Sequence, residues 1–388
     1  LFGAGCRSSF HSGISCFDFR TNGFLCKSPS GIARYCLQRR TSGTNRKIDV
    51  GAFRNWVTWA RRPVCTCFRY LDPSFTEFNY GSTTVVYGLS GNCMIGYFTY
   101  LMYLSCWRLL RALPKSVAYQ LGDVIADLTR LRNGKSITRL HSNLSRVKPE
   151  YDEVQMADLL KKSMRSHLRY WIDTFRFTDW DKSHILNSAE TINDKYFFDA
   201  LAAGKGLIVS LPHAGNWDHA GAYFCAQGIS LTTVVEHVKP ERLFRRFLQH
   251  REKMGMEALD LNSRVTAILA QRLRSGKLVA LVADRDLSKS GVTVNFFDGI
   301  ARMPGGPAAL ALQTGAALVT AFVSYTPTGI RIEFEKPIEL PSHGSKDEMI
   351  QVITQICADR FAANIAHHPQ DWHMLQRIWI DEDFVERP

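Results

Sequence analysis

The run Gly206-Leu-Ile-Val-Ser-Leu-Pro212 is short, apolar and rich in β-formers, and it stops at a proline. Directly after it stands His213-Ala-Gly-Asn-Trp-Asp218. Ala220, Ala222, Tyr223 and Phe224 follow, a composition suited to a packed helix. A buried strand that hands over to a helix within a few residues is the repeating unit of an α/β sheet. It puts His213 at the strand-end edge, where open α/β sheets bind ligands. Asp218 falls near the first helical turn, from which it can turn back towards His213. An imidazole with a carboxylate partner is the minimum apparatus for taking a proton from a hydroxyl. The anion fixes the tautomer and supports the imidazolium that forms.

A His and an Asp five residues apart occur often by chance. The strand before them, Gly215 between them and the aromatic-rich helix after them give this pair its weight. His219, beside Asp218, invites a metal reading, but no second cluster of His and Cys has ligand spacing, so no metal is expected.

Strand candidates at 206–211, 231–235, 278–283, 317–323 and 330–336 alternate with helical segments. The expected class is α/β, a central β-sheet flanked by helices. Residues 115–180 read as a helical N-terminal layer. Ala118, Leu121, Val124, Ile125 and Leu128 share one helical face and are assigned to the core, as are Leu140, Leu144 and Val147. A longer helix is expected over about 152–175. Arg139 and Arg146 are read as solvated.

Charge and cysteine divide the chain. The net charge is +12, and residues 1–93 carry 12 Lys and Arg against four acidic residues. The remaining 295 residues carry 36 against 32, so the enzyme-like part is only mildly basic. Seven of the ten cysteines also lie in 1–93, without a secretory signal or a zinc spacing. Cys106, Cys225 and Cys357 suit a reduced interior. The chain starts with Leu, its first methionine is Met94, and 1–93 has no sustained period. We read 1–93 as a non-native extension from a mis-called start, against a genuine disordered basic arm, and 94–388 as one domain.

The stretch from Met94 to Trp107 is strongly apolar, but shorter than the ~20 residues a membrane-crossing helix needs. Arg108, Arg111 and Lys115 follow. A helix at about 94–113 of this kind suits an anchor lying on an anionic membrane face, with packing on the core as the competing reading.

Three further stretches bear on a site. Over 241–254, steps of about 100° put Leu243, Phe244, Phe247, Leu248 and Met254 on one face, with Arg251 in its middle. A guanidinium there needs an anion, either a ligand phosphate or a carboxylate. Asp284-Arg285-Asp286 comes directly off the apolar strand 278–283, so Asp284 can share an edge with His213, and Ser288-Lys-Ser-Gly291 offers donors to phosphate. Gly305-Gly306-Pro307 opens an apolar helix whose free backbone N–H groups suit an anion or an oxyanion. The late His367-His-Pro-Gln-Asp-Trp372-His373 run is read as a cap that packs Trp372 and Trp379 on the core.

Taken in order, His213-x4-Asp218, the Glu241-Arg242-Leu-Phe helix with Arg251, Asp284-Arg-Asp-Leu, Phe296-Phe, Arg302-Met-Pro-Gly-Gly-Pro and Gln313-Thr-Gly-Ala-Ala resemble the lysophospholipid acyltransferase superfamily. The branch is that shared with lipid A lauroyl acyltransferases, and in particular the phosphatidylinositol mannoside acyltransferases of mycobacterial type. The resemblance runs from Met94 to the C-terminus. It implies a glycerolipid-acyltransferase-like fold and transfer of a fatty acyl group, palmitoyl foremost, from acyl-CoA to a mannose hydroxyl of a phosphatidylinositol mannoside. A sister activity on another glycolipid or lysophospholipid is the alternative. The implied location is peripheral, on the cytoplasmic face of the bacterial inner membrane. It implies no cofactor beyond the acyl-CoA co-substrate. His213 matches the family's catalytic His. The family's acid is a Glu, and here it is Asp284, one methylene shorter. Arg251, Ser290 and Gln313 match acyl-CoA-contacting positions, with Gln313 where relatives carry Glu. Arg285, Gly305 and Gly306 complete the expected substrate-binding set, with Asp218 as holder of the loop or assistant to the base. A serine hydrolase would need a Gly-x-Ser-x-Gly elbow, which is missing. A nucleic-acid role would rest on 1–93 and has no recognised module, so no nucleic acid is expected.

Overall fold

The computed structural model describes residues 91–381, apart from His237, Lys239, Ser263, Leu287 and Lys289, together with three short strands between 15 and 36. The chain divides into two units, Leu1–Ser90 and Gly91–Pro388. In the first, β1 (Ser15–Phe19), β2 (Gly23–Lys27) and β3 (Ala33–Cys36) pair antiparallel in that order. Strands of four or five residues are too short to register as a sustained period. The rest of the expectation for 1–93 lies outside the described residues.

The second unit opens with four helices, α1 (Gly91–Ala112), α2 (Lys115–Leu131), α3 (Lys135–Val147) and α4 (Glu153–Arg176), then the short α5 (Lys182–Asn187). It continues β4 (Ala189–Ile192), α6 (Lys195–Ala202), β5 (Leu207–Leu211), α7 (Trp217–Ala226), β6 (Leu231–Val235), α8 (Glu241–Lys253) and β7 (Glu257–Asp260). Then come α9 (Val265–Arg274), β8 (Leu278–Val282), the hairpin strands β9 (Val292–Phe296) and β10 (Gly299–Met303), α10 (Gly306–Thr314), β11 (Ala317–Tyr325), β12 (Ile330–Phe334) and α11 (Lys346–His367).

Seven strands form a mixed sheet in the order β4-β12-β11-β5-β8-β6-β7, and β9 and β10 pair apart from it. The five strands from β11 to β7 run parallel, while β12 is antiparallel to β11. Every residue of β5 is buried, as a central strand covered on both faces requires. Its side chains alternate. Ile208 joins a core built with α3, α4, α10 and α11, whereas Leu207, Val209 and Leu211 join one built with α6 and α7. The chain is thus an α/β layer structure with a helical N-terminal layer. All five expected strands are present. The edge strands β4 and β7, four residues each and without an apolar run, escape sequence reading.

The assignment of α2 is corrected. Its buried residues are the small ones, Ala118, Gly122 and Ala126, while Val117, Val124, Ile125, Leu128 and Leu131 are exposed, Leu131 to 68%. The small face lets α2 close on α4: a Cβ on Gly122 would stand 2.3 Å from Ile172 Cδ1. The core-packing reading of α1 holds for one of its faces, and the other face is apolar and exposed. Trp107 is buried against Phe175, with ring centroids 5.1 Å apart, while Phe98, Met102 and Leu109 point outwards. Among the described residues, no helix is long and apolar enough to cross a membrane.

Arg146 is also corrected. It bonds Asp381 at 2.7 Å and lies 4.6 Å from the Trp379 ring, so it clamps the C-terminal segment instead of facing solvent.

Candidate active site

The register of two neighbouring strands brings the central pair together. β5 and β8 run parallel, with Leu211 opposite Val282. His213 and Asp284 each stand two residues beyond that pair, so they leave the same edge side by side. His213 Nδ1 lies 2.5 Å from Asp284 Oδ1, and the His213 backbone N–H donates to Asp284 Oδ2 at 3.0 Å. The shorter acid therefore reaches the imidazole. The Asp284 side chain is fully buried and that of His213 is 40% exposed, an anion sealed behind an accessible ring.

The turn that presents His213 is held from two sides. Gly215 has φ 55°, and a Cβ there would lie 2.5 Å from the Val323 carbonyl oxygen, so only glycine fits. The C-terminal segment pairs with the turn: Gly215 N–H donates to Asp371 O and His373 N–H to His213 O, both at 2.8 Å. Between these contacts Trp372 is wholly buried, and its indole N–H donates to Asp284 Oδ2 at 2.9 Å. Asn216 caps α7 by accepting from His219 N–H.

Burial alone would depress the His213 pKa. The charge and hydrogen bond of Asp284 outweigh it, and the net value stands above 6.5. Burial likewise pushes Asp284 up, but His213, the Trp372 N–H and the His213 backbone N–H together hold it below the usual carboxylate value. With Nδ1–H donating to a carboxylate, the lone pair sits on Nε2. That arrangement suits removal of a proton from a bound hydroxyl.

Asp218 turns away from this pair. Its partners are Arg251, with Nε at 2.7 Å and Nη2 at 3.1 Å, and the Tyr170 hydroxyl at 3.0 Å. The Arg251 anion is thus the motif's own carboxylate. Burial lowers the Arg251 pKa, and Asp218 with Tyr170 more than restores it, so the guanidinium stays charged. Asp218 and Arg251 together form a rivet between α7 and α8.

The other expected contacts spread more widely. Arg285 donates to the Arg377 carbonyl at 2.9 Å. Ser290 is exposed and shares a 2.8 Å hydrogen bond with Ser288. Gly305 and Gly306 head α10, where a Cβ on Gly305 would press on Val292 and Ile350. Gln313 is exposed on the last turn of α10, just before β11 begins beside the start of β5. It therefore sits at the rim of the sheet opposite His213. His219 is buried and neutral, its pKa near 4 from desolvation, and no grouping of three ligand-type side chains suits a metal ion among the described residues.

Sequence reading missed the residues that frame His213. Trp217 stands edge-on to it, with centroids 5.4 Å apart, and stacks on Tyr170 at 4.3 Å. His373 closes this aromatic wall. Their signal was an aromatic-rich α4 and C-terminal run, which reads equally as core. Behind Trp217 and Asp218, a narrow apolar slot of about 70 Å³ runs between the sheet and α7, past Leu211, Val282, Gly221 and Met256 to Leu278 at the far end of the strands.

The sequence profile of the bacterial lipid A biosynthesis acyltransferase family matches residues 92–380. A phosphatidylinositol mannoside acyltransferase of Mycolicibacterium smegmatis is 39% identical over 305 residues, covering 77% of this chain and 97% of the relative. One from Mycobacterium tuberculosis is 36% identical over 283 residues, covering 72% and 87%. A lipid A biosynthesis acyltransferase of Haemophilus influenzae is 21% identical over 202 residues, covering 52% and 63%. With a profile match across most of its length and relatives at this identity, the chain belongs to the bacterial lipid A biosynthesis acyltransferase family.

Proposed function

We propose that the chain transfers a fatty acyl group, palmitoyl foremost, from acyl-CoA to a mannose hydroxyl of a phosphatidylinositol mannoside. The observation that carries this reading is the 2.5 Å contact between a buried carboxylate and an accessible imidazole at the sheet edge. The names of the mycobacterial relatives support the acceptor. His213 Nε2 takes the hydroxyl proton as that oxygen attacks the thioester carbonyl. Asp284 stabilises the imidazolium. The tetrahedral intermediate collapses, the C–S bond breaks, and the departing thiolate recovers the proton from His213. Backbone N–H groups at Gly305 and Gly306 are the candidates to steady the oxyanion. No acyl-enzyme is needed, because acceptor and donor are held together.

The apolar slot supports the donor assignment. Its wall includes the flexible thioether of Met256, which an entering acyl chain displaces. Arg251, already bound to Asp218, serves the donor by holding the slot's polar end, and Ser290 meets its phosphates from the exposed loop. The outward apolar faces of α1 and α2 support a peripheral seat on the cytoplasmic face of the inner membrane, with Arg108 meeting anionic lipid.

The test is transfer from labelled palmitoyl-CoA to a panel of phosphatidylinositol mannosides, lysophospholipids and lipid A precursors, with products read by mass spectrometry. Transfer only to the last two classes overturns the acceptor. His213→Ala is expected to keep its circular dichroism and lose ~10²–10⁴-fold in rate. Near-normal transfer by that variant overturns the base.

A further inference from the structure

A second cavity, of about 400 Å³, opens between α2, α4 and the end of β11. It shares no residue with the apolar slot and is lined by polar groups. We propose that it binds the phosphorylated polyol head of the acceptor lipid, an inference that rests on the glycolipid acceptor proposed above.

The lining has the chemistry for such a ligand. Lys115, Arg165 and Arg169 converge on it, with Tyr119, Tyr325 and Gln370 between them. Arg169 is fixed as a platform. It donates to the carbonyls of Thr326 and Gly329 and lies 4.0 Å from the Tyr325 ring. The Tyr325 hydroxyl is buried and has no hydrogen-bond partner among the described residues, an unmet donor and acceptor on a residue that lines the cavity. The Lys115 ammonium forms no ion pair with a described carboxylate.

The acids of the lining are already engaged. Asp371 accepts from the Ser166 hydroxyl at 2.7 Å and the Tyr325 N–H at 3.0 Å, and burial raises its pKa. Asp127 holds Arg165 through hydrogen bonds of 2.6 and 3.1 Å with Asp123 at 3.7 Å, and Asp173 lies 3.9 Å from Arg169, so both guanidinium groups have carboxylate partners. Lys115 is thus the cation left for a phosphate, while the phenol and the amide suit the hydroxyls of a polyol.

The cavity is joined to the proposed active site. The same Asp371 accepts from Gly215 N–H through its carbonyl, and Ser166 hydrogen-bonds His373, whose N–H holds the His213 carbonyl. A head group lodged here lies one hydrogen-bonded layer behind the turn that carries the base.

The experiment is calorimetric binding of myo-inositol 1-phosphate, myo-inositol and inorganic phosphate to the full chain, and to Lys115→Ala and Tyr325→Phe. Neither substitution touches the His213 pair. The proposal expects inositol 1-phosphate to bind, each variant to weaken it by ~5–30-fold, and the two simpler probes to bind at least tenfold more weakly. In acyl transfer the variants raise KM for a phosphatidylinositol mannoside by the same factor and leave kcat and the donor KM unchanged. Competition by inositol 1-phosphate against lipid in mixed micelles tells a lipid head group from a free metabolite. No binding, equal affinity in both variants, or inorganic phosphate binding as tightly overturns the proposal. Binding without transfer defeats the acceptor reading and leaves the site standing. Transfer without binding defeats the site alone.

Discussion

Trp372 donates its indole N–H to Asp284 Oδ2, the oxygen that also accepts the His213 backbone N–H, and so leaves Oδ1 to the imidazole. The carboxylate is pinned through one oxygen and works through the other. Asp284→Asn keeps the shape but removes the charge and offers an amide N–H to Nδ1, favouring the wrong tautomer. Acyl transfer is expected to fall by ~10²–10⁴-fold. Trp372→Phe keeps the carboxylate and strips one of its buried donors, for a stability loss of ~1–3 kcal/mol and a smaller loss of rate. Denaturant melts and single-turnover rates on both variants check the order. A larger rate loss in Trp372→Phe would contradict it.

The pH profile follows from the same pair. As the proposed base, His213 must be neutral, and Asp284 raises its pKa above 6.5. Activity is therefore expected to climb as pH rises through that raised value, later than for a free imidazole. The stability linkage has the opposite sign. A raised folded-state pKa contributes stability that is fully present below 6.5 and is lost as pH rises through the folded value. Asp284→Asn removes the charge that raises it, so its acid limb should move to lower pH. Rates and melting temperatures across pH 5–9 for the two proteins decide this.

Asp218 and Arg251 pair with each other and not with His213. Arg251 is mostly buried and its charge is met by Asp218 through two hydrogen bonds. Asp218→Ala strands that charge, at a cost of about 3–5 kcal/mol. Replacing both, as Asp218→Leu with Arg251→Met, is expected to cost less than the single change, because no ion is left unpaired. Urea unfolding of the single and double variants reads the coupling. His213→Ala serves as the contrast, with lost activity and a retained melt.

What the sequence disclosed depends on the range of the physics involved. The strand ends at His213 and Asp284 are local signals, a β-rich run stopping at a polar residue, and parallel register converts them into a contact. The destination of Asp218 is not local. Five residues from His213 it reads as a partner, and only the seating of α8 against α7 gives it to Arg251. The face of α2 failed for another reason. Periodicity shows that a helix has an apolar side, but a lipid surface and a protein core are both apolar. Ala118, Gly122 and Ala126 were the informative residues, because small side chains permit close helix packing. Trp372 was legible as buried, and its bond to Asp284 was not.

On the proposed function, the slot beneath Trp217 sets chain-length preference. A Cβ on Gly221 would lie 2.7 Å from Met256 Cε, so a larger residue there must push the thioether further into the slot. Gly221→Val is expected to lower the ratio of kcat/KM for palmitoyl over lauroyl donors several-fold and to cost ~1–3 kcal/mol from overpacking. Competition between the two acyl-CoA donors measures it, and an unchanged ratio places the chain elsewhere.

The inverted packing of α2 separates fold from the proposed membrane seat in one experiment. Val124 and Leu128 are exposed, so Val124→Ser with Leu128→Ser removes little from the core. Burying a large aliphatic side chain contributes ~1.5–3 kcal/mol, so losing two should weaken binding to anionic vesicles by at least ~10-fold. The melting temperature and transfer to a detergent-dispersed acceptor should stay near wild type. Ala126→Leu makes the opposite change. It enlarges a residue with no exposed surface at the α2–α4 contact, forces the helices apart and costs ~1–3 kcal/mol, while the outward stripe is untouched. Co-sedimentation with vesicles and thermal melts should therefore respond to different variants. If the serine pair lowers stability as much as Ala126→Leu does, the stripe is packed in solution and the membrane assignment of α2 is wrong.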